Sequence, residues 1–254
     1  RPPAPPSISI DQGRRFTNHP QGLVNLRLSA AENVTQLRIK ISNDKDFDNV
    51  NARPFSAAIT DWRLKEGEDG EKTVYAVLID QAGNVSLPGE ASIIHDRKPP
   101  QVNGIQLEEG NEFTNAIRVR IKADVKEANA MQFSNTPAFP ASMAWEPFAE
   151  IKEAHSLNPG DGKKMVYARF RDEAGNVSEV VSDEIILDTT VPRGRLLIDE
   201  GNRFTNDPAR KVTLSLQFDD DTYKIQMGNT PDFEKLPWLD PVQEKNWELE
   251  GEDG

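Results

Sequence analysis

The residues best suited to chemistry in this chain sit in two near-identical turns, Asp80-Gln-Ala-Gly-Asn84 and Asp172-Glu-Ala-Gly-Asn176. Asp and Asn supply hard oxygen donors, of which a calcium ion takes about six to eight at once. The same residue types also make a turn with no ion: Asp accepts a local backbone N–H, Gly adopts a positive φ, and Asn tolerates the left-handed region. Other chemistry is sparse. There is no cysteine, which removes disulfides, thiolate metal sites and thiol nucleophiles. His19, His95 and His155 fall at non-equivalent positions, with neither metal-triad spacing nor a Ser–His–acid pattern. No Walker loop or dinucleotide fingerprint occurs. Paired carboxylates are frequent only because the chain is acidic, so they carry little weight for glycosidase chemistry. No enzyme is expected.

Charge narrows the partners. Among 254 residues, 30 are Lys or Arg and 42 are Asp or Glu, giving −12 at pH 7. Nucleic acid demands a basic footprint and is not an expected partner. The longest apolar run spans residues 74–79, far short of the ~20 that a membrane helix needs, so no membrane insertion is expected within this segment. The opening Arg1-Pro-Pro-Ala-Pro-Pro6 has no apolar signal region, so any targeting peptide is expected to have been removed or to lie outside this sequence.

The elements that must hold these turns come in copies. Gly13-Arg-Arg-Phe-Thr-Asn18 recurs as Gly110-Asn-Glu-Phe-Thr-Asn115 and Gly201-Asn-Arg-Phe-Thr-Asn206. Asn43, Asn135 and Asn229 form a second set, each four residues before a Phe, and Gly67–Gly70, Gly160–Gly162 and Gly251–Gly254 form a third. A spacing of about 90 residues matches a whole small domain rather than a solenoid repeat. Boundaries fall in Asp96-Arg-Lys-Pro-Pro100 and Asp188-Thr-Thr-Val-Pro192, short linkers stiffened by proline. Three domains are expected, over residues 1–97, 98–190 and 191–254.

After each Phe-Thr-Asn the sequence alternates apolar and polar residues, as in Val24-Asn-Leu26-Arg-Leu28, Ile117-Arg-Val119-Arg-Ile121 and Val212-Thr-Leu214-Ser-Leu216. That period of two marks a strand with one buried face. Ile39-Lys-Ile41, Met131-Gln-Phe133 and Ile225-Gln-Met227 repeat it, and Val74-Tyr-Ala76 and Val166-Tyr-Ala168 open a further strand in the first two units. Short strands between turns predict an all-β fold of tandem antiparallel sandwiches set end to end. In the second unit Met131, Phe133, Phe139, Trp145, Val166 and Phe170 are the expected core. Trp62 and Trp247 are equivalent, as are Trp145 and Trp238, which favours packing over a sugar platform.

The Asp-x-Ala-Gly-Asn-Val-Ser turns, each after a Val-Tyr-Ala strand and before an Asp-x-x-x-Pro linker, resemble the tandem bacterial Ig-like repeats of secreted and cell-surface proteins, related in architecture to fibronectin type III modules. In that Ig-like order the last hairpin lies beside the incoming linker and the loop after the second strand. The resemblance thus implies that Asp96, Asp124, Glu127, Asp172 and Asn176 gather at one junction, and that Asp188 meets Asp219 and Asp221 at the next. Ca²⁺ at these junctions is the functional alternative to a turn satisfied by its own backbone; no cofactor is required. Asn33-Val-Thr35, Asn84-Val-Ser86 and Asn176-Val-Ser178 are formal glycosylation sequons, the last two explained by the turn itself.

The expected function is a structural stalk, spacer or fibre segment of an adhesin-like bacterial protein, extracellular or on the cell surface, with the periplasm as the alternative site. Its partners would be neighbouring Ig-like repeats of the same longer chain, like chains in a fibre, or a surface glycan or protein. A carbohydrate- or protein-binding module set, or an ancillary region of a secreted hydrolase, is the rival reading. The third unit lacks the Val-Tyr-Ala strand, its turn and the final strand. Its domain is therefore expected to be incomplete, with the remainder beyond Gly254 or a strand supplied by another chain.

Overall fold

A computed structural model describes residues 1–31 and 37–251. The Asn33 sequon and the end of the Gly251-Glu-Asp-Gly254 phrase lie outside the described residues. The chain divides into two compact bodies, Arg1–Asp188 and Thr189–Gly254.

The first body holds two sandwiches. The first is built from β1 (Ser7–Ile10), β2 (Phe16–Thr17), β3 (Leu23–Ser29), β4 (Arg38–Ser42), β5 (Arg53–Pro54), β6 (Ala58–Arg63), β7 (Gly70–Ile79) and β8 (Gly89–His95). One sheet has the order β1-β3-β6, the other β2-β8-β7-β4-β5. Alternation decides which side faces in. Along β3, Val24, Leu26 and Leu28 are buried while Asn25 and Arg27 are exposed. They meet Ile39 and Ile41 of β4, Val74, Ala76 and Leu78 of β7, and Ile93 of β8 in one core.

The second sandwich repeats this plan with β9 (Gln101–Leu107), β10 (Phe113–Thr114), β11 (Arg118–Lys126), β12 (Ala130–Ser134), β13 (Glu146–Pro147), β14 (Ile151–Ser156), β15 (Gly162–Arg171) and β16 (Val181–Leu187). Its sheets run β9-β11-β14 and β10-β16-β15-β12-β13. Neighbours are antiparallel except the short pairs β2–β8 and β10–β16, which are parallel. Met131, Phe133, Val166 and Phe170 lie in its core as expected. Phe139 and Trp145 do not. The period of two puts Arg169 and Arg171 on the outer side of β15, and the two aromatic rings cover them there. Arg169 lies 4.7 Å from the Phe139 ring and 5.2 Å from that of Trp145; Arg171 lies 4.5 Å from Trp145. A cation over an aromatic face keeps both half-buried on the outside.

The second body contains β17 (Gly194–Ile198), β18 (Lys211–Phe218) and β19 (Glu244–Glu248) in one antiparallel sheet. This is the counterpart of β1-β3-β6. Ile225-Gln-Met227, expected as a strand, forms only a single bridge from Ile225 to Leu239. In both complete sandwiches the equivalent strand is held by the long strand β7 or β15, and nothing among the described residues takes that place here.

One local device recurs in all three units. Asp11, Gln12 and Gly13 have φ of 42°, 62° and 84°, and Glu108–Gly110 and Asp199–Gly201 follow the same course. Two consecutive left-handed residues with side chains are costly, about 1–2 kcal/mol each, so the surroundings must hold them. They do so through the acid. Asp11 Oδ1 accepts the Asn25 N–H (2.7 Å), Glu108 Oε1 that of Arg120 (2.6 Å), and Asp199 Oδ1 that of Thr213 (2.7 Å).

Candidate functional site

The turn between β15 and β16 is built around Asp172, which is 7% exposed. Its Oδ1 accepts the N–H groups of Gly175 (2.7 Å) and Asn176 (2.8 Å), and its Oδ2 accepts Asn176 Nδ2 (2.9 Å). Gly175, at φ 98°, takes the conformation that a side chain would resist. The Ser178 hydroxyl closes the hairpin, accepting from the Phe170 N–H (3.0 Å) and donating to Glu179 O (2.8 Å). Asp80 repeats the arrangement, accepting the N–H and Nδ2 of Asn84, both at 2.8 Å. The Asn84 side chain, with help from its backbone, holds the Asp80 carboxyl below the usual carboxylate range.

The two turns differ in what they touch. Asn176 Nδ2 also donates to Asp96 O (3.0 Å), tying the second sandwich to the linker that leaves the first. Across the same junction an exposed ion pair joins Arg15 and Glu173 at 3.5 Å. A depression of about 610 Å³ lies here, bordered by Phe16, His95, Asp96, Glu127, Asp172 and Glu173.

Of the residues proposed to meet at this junction, Asp96, Glu127 and Asp172 therefore share one depression, with Asn176 in the adjoining turn. Asp124 does not join them. It lies within β11 and borders a separate depression, its Oδ2 accepting Asn103 Nδ2 at 3.1 Å. Asp96 Oδ1 caps the Lys98 N–H at 3.0 Å, and Glu127 adopts a left-handed φ of 63°. In the first body the Asp188 N–H donates to Thr114 O; in the second, Asp219 Oδ2 accepts the Arg193 N–H at 2.8 Å, and Asp221 lies in an exposed turn. Among the described residues no three His, Asp or Glu side chains are grouped to hold a metal ion. The turn's own N–H groups take both acceptor positions of Asp172 Oδ1 and one of Oδ2, which leaves this carboxylate one position for a cation.

A second repeated arrangement escaped the sequence reading, although both partners stood out singly. Trp62 Nε1 donates to Asn43 Oδ1 (2.9 Å), and Asn43 Nδ2 donates to Arg63 O (3.0 Å). Trp247, Asn229 and Glu248 O make the same pair of bonds at 2.8 and 3.1 Å. In the first sandwich this Asn stitches the end of β4 to β6, joining the two sheets. In the second, His155 stands where the others have Trp, and its Nε2 meets Asn135 Oδ1 at 2.9 Å.

Burial, reinforced by the nearby Lys152 charge and partly offset by Glu146, lowers the His155 pKa from its ordinary 6.5. The folded state thus favours the neutral ring, and its advantage is full above that value. As pH falls below 6.5 the unfolded chain takes up a proton first, so stability is lost until the folded value is passed. The denaturation midpoint of the second sandwich is expected to fall between pH 7.5 and 5. His155→Trp, which restores the indole of the sister units, is expected to flatten that dependence; an unchanged slope would assign it elsewhere.

Each complete sandwich, a three-stranded sheet facing the longer sheet that carries the closing hairpin, has the immunoglobulin-like, fibronectin type III-like fold. No family model matches the chain, and no curated protein matches it. Several solved structures align with it at low similarity. The fibronectin(III)-like modules of Clostridium thermocellum CbhA align at 12% identity and TM-score 0.39, covering 71% of this chain and 93% of that one. A 1.5-MDa bacterial ice-binding adhesin aligns at 14% identity and TM-score 0.38, over 84% and 76%. A tetra-tandem repeat from the extending region of a large adhesion protein aligns at 16% identity and TM-score 0.30, over 95% of this chain and 64% of that one. At these values the fold assignment rests on the strand pairing itself.

Proposed function

We propose that the chain is a non-catalytic extender, a stalk or spacer segment of a secreted or surface-exposed bacterial protein. Its partners are neighbouring repeats of the same polypeptide or like chains in a fibre. The observation that carries this reading is the Asn176–Asp96 bond, which fixes one sandwich to the linker of the one before it. Pro99 and Pro100 stiffen the same linker, so consecutive repeats are coupled rather than loosely strung. Among the described residues no helix is long and apolar enough to cross a membrane. Small-angle scattering on residues 1–188 is expected to give the profile of an elongated particle, with a maximum dimension well beyond that of a globule of the same mass. A compact profile would overturn the spacer reading.

One residue favours a second reading. Tyr223 is 83% exposed, and the equivalent positions in the other repeats hold Leu37 and Asn129. An exposed ring peculiar to one unit suits stacking on a sugar or docking to a partner protein. Glycan binding that Tyr223→Ala abolishes would support a binding module in place of a spacer.

A further inference from the structure

The inner face of the sheet in the second body is only partly covered: Val212 and Leu214 are buried, but Leu196 on β17 is 49% exposed. A trough of about 670 Å³ is lined by Leu196, Leu214, Leu216, Met227, Trp238 and Trp247. Sister positions show what is missing. Ile10 and Leu107 are 3% and 1% exposed, whereas Ile198, in the same register on β17, is 39% exposed. In the first sandwich the covering residues are Val74, Ala76 and Leu78 of β7 with Ile93 of β8; in the second they are Val166, Ala168 and Phe170 of β15 with Ile185 of β16.

A second, independent feature lies along one side of this trough. Ile225 exchanges both backbone hydrogen bonds with Leu239, at 2.9 and 2.8 Å, as β12 pairs with β13 on one edge. The opposite edge of β12 pairs with β15, placing Met131 against Phe170 and Phe133 against Ala168. Ile225 and Met227 occupy the positions of Met131 and Phe133, and no described residue pairs with their opposite edge.

We propose that this face is a docking site for a β-hairpin of the kind formed by β7–β8 and β15–β16, carried by a polypeptide with repeats of this type. Its first strand adds antiparallel to residues 224–228, in the register of β15 on β12. Its alternating Val-x-Ala-x-Phe side chains fill the trough, so affinity comes from main-chain pairing and selectivity from the side chains. A folded second copy is a poor donor, because its own two hairpins are already paired and buried in their sandwiches.

The test uses the full chain extended after Gly254 by a copy of residues 163–187, since an isolated hairpin is marginal in water and tethering supplies a high local concentration. Amide hydrogen exchange over residues 224–228 is expected to slow by at least about tenfold, with a cooperative unfolding transition appearing in the second body. A control tail carries Val166→Asp, Ala168→Asp and Phe170→Asp in the appended copy and is expected to give neither effect. Equal protection from both tails, or from neither, overturns the proposal. So does sedimentation showing that the unextended chain is a dimer with residues 224–228 already protected, which would make a second copy the occupant.

Discussion

Phe170→Ala is expected to destabilise the second sandwich by about 3–5 kcal/mol, the range for deleting a large buried aromatic side chain. Phe170 has no exposed surface, and its ring meets Phe133 edge-on at 6.3 Å and Phe148 at 6.0 Å. Removing it empties the centre of that core, and the strands on either side are too constrained by their ladders to close the gap. The first sandwich draws its core from a separate set of residues. Peptide-resolved hydrogen exchange under denaturant is therefore expected to show residues 101–187 opening early while residues 7–95 keep their original midpoint. A matched fall in both would mean that the sandwiches unfold as one unit despite their separate cores.

Asp172→Ala is the second large effect, at about 1–3 kcal/mol, because it removes the side-chain acceptor of three donors and leaves the Asn176 N–H with none, whereas Gly175 keeps its bond to the backbone oxygen of residue 172. Asp172→Asn keeps one oxygen for the two backbone donors and is expected to fall between Ala and the native residue. The loss also loosens Asn176, whose side chain reaches Asp96 O, so exchange at the junction is expected to rise along with it. Thermal melts in millimolar Ca²⁺ separate the turn from the ion. An unchanged melting temperature fits a turn satisfied by its own N–H groups. A rise that Asp96→Ala abolishes would restore the junction cation.

Much of the fold was legible because burial writes itself as alternation. Strands β3, β11 and β18 each read as apolar and polar in turn, and the Asp-x-Ala-Gly-Asn phrase marked the hairpin on which Asp172 sits. Strand β6 was not legible. Its register against β3 shifts between Val24 and Leu26, and Asp61 within it has a φ of 53°, so the period of two breaks where a reader looks for it. The left-handed turns were hidden differently: Asp11, Glu108 and Asp199 look like ordinary surface acids, and only the Gly two residues after each signals anything. Asp124 was misplaced because β11 continues to Lys126, so a residue taken for a loop ligand is a strand residue held by Asn103.

The parallel pairs at the margins of the two complete sandwiches bear on how such a chain answers a pull. Near the entry of the first, β2 is bonded to β8 near the exit, through the Ile94 N–H to Arg15 O and the Asp96 N–H to Thr17 O, both at 3.0 Å. In the second, β10 and β16 are joined by the N–H groups of Ile186 and Asp188, each 2.9 Å from its acceptor. Strands that run the same way and are drawn from opposite ends slide against each other. Tension therefore loads these bonds together in shear, where an antiparallel hairpin would unzip one bond at a time. Each complete sandwich thus carries a lock across its two ends, and the described residues of the second body form no such pair. Under a steady load each complete sandwich is expected to hold until both bonds of its lock give way together.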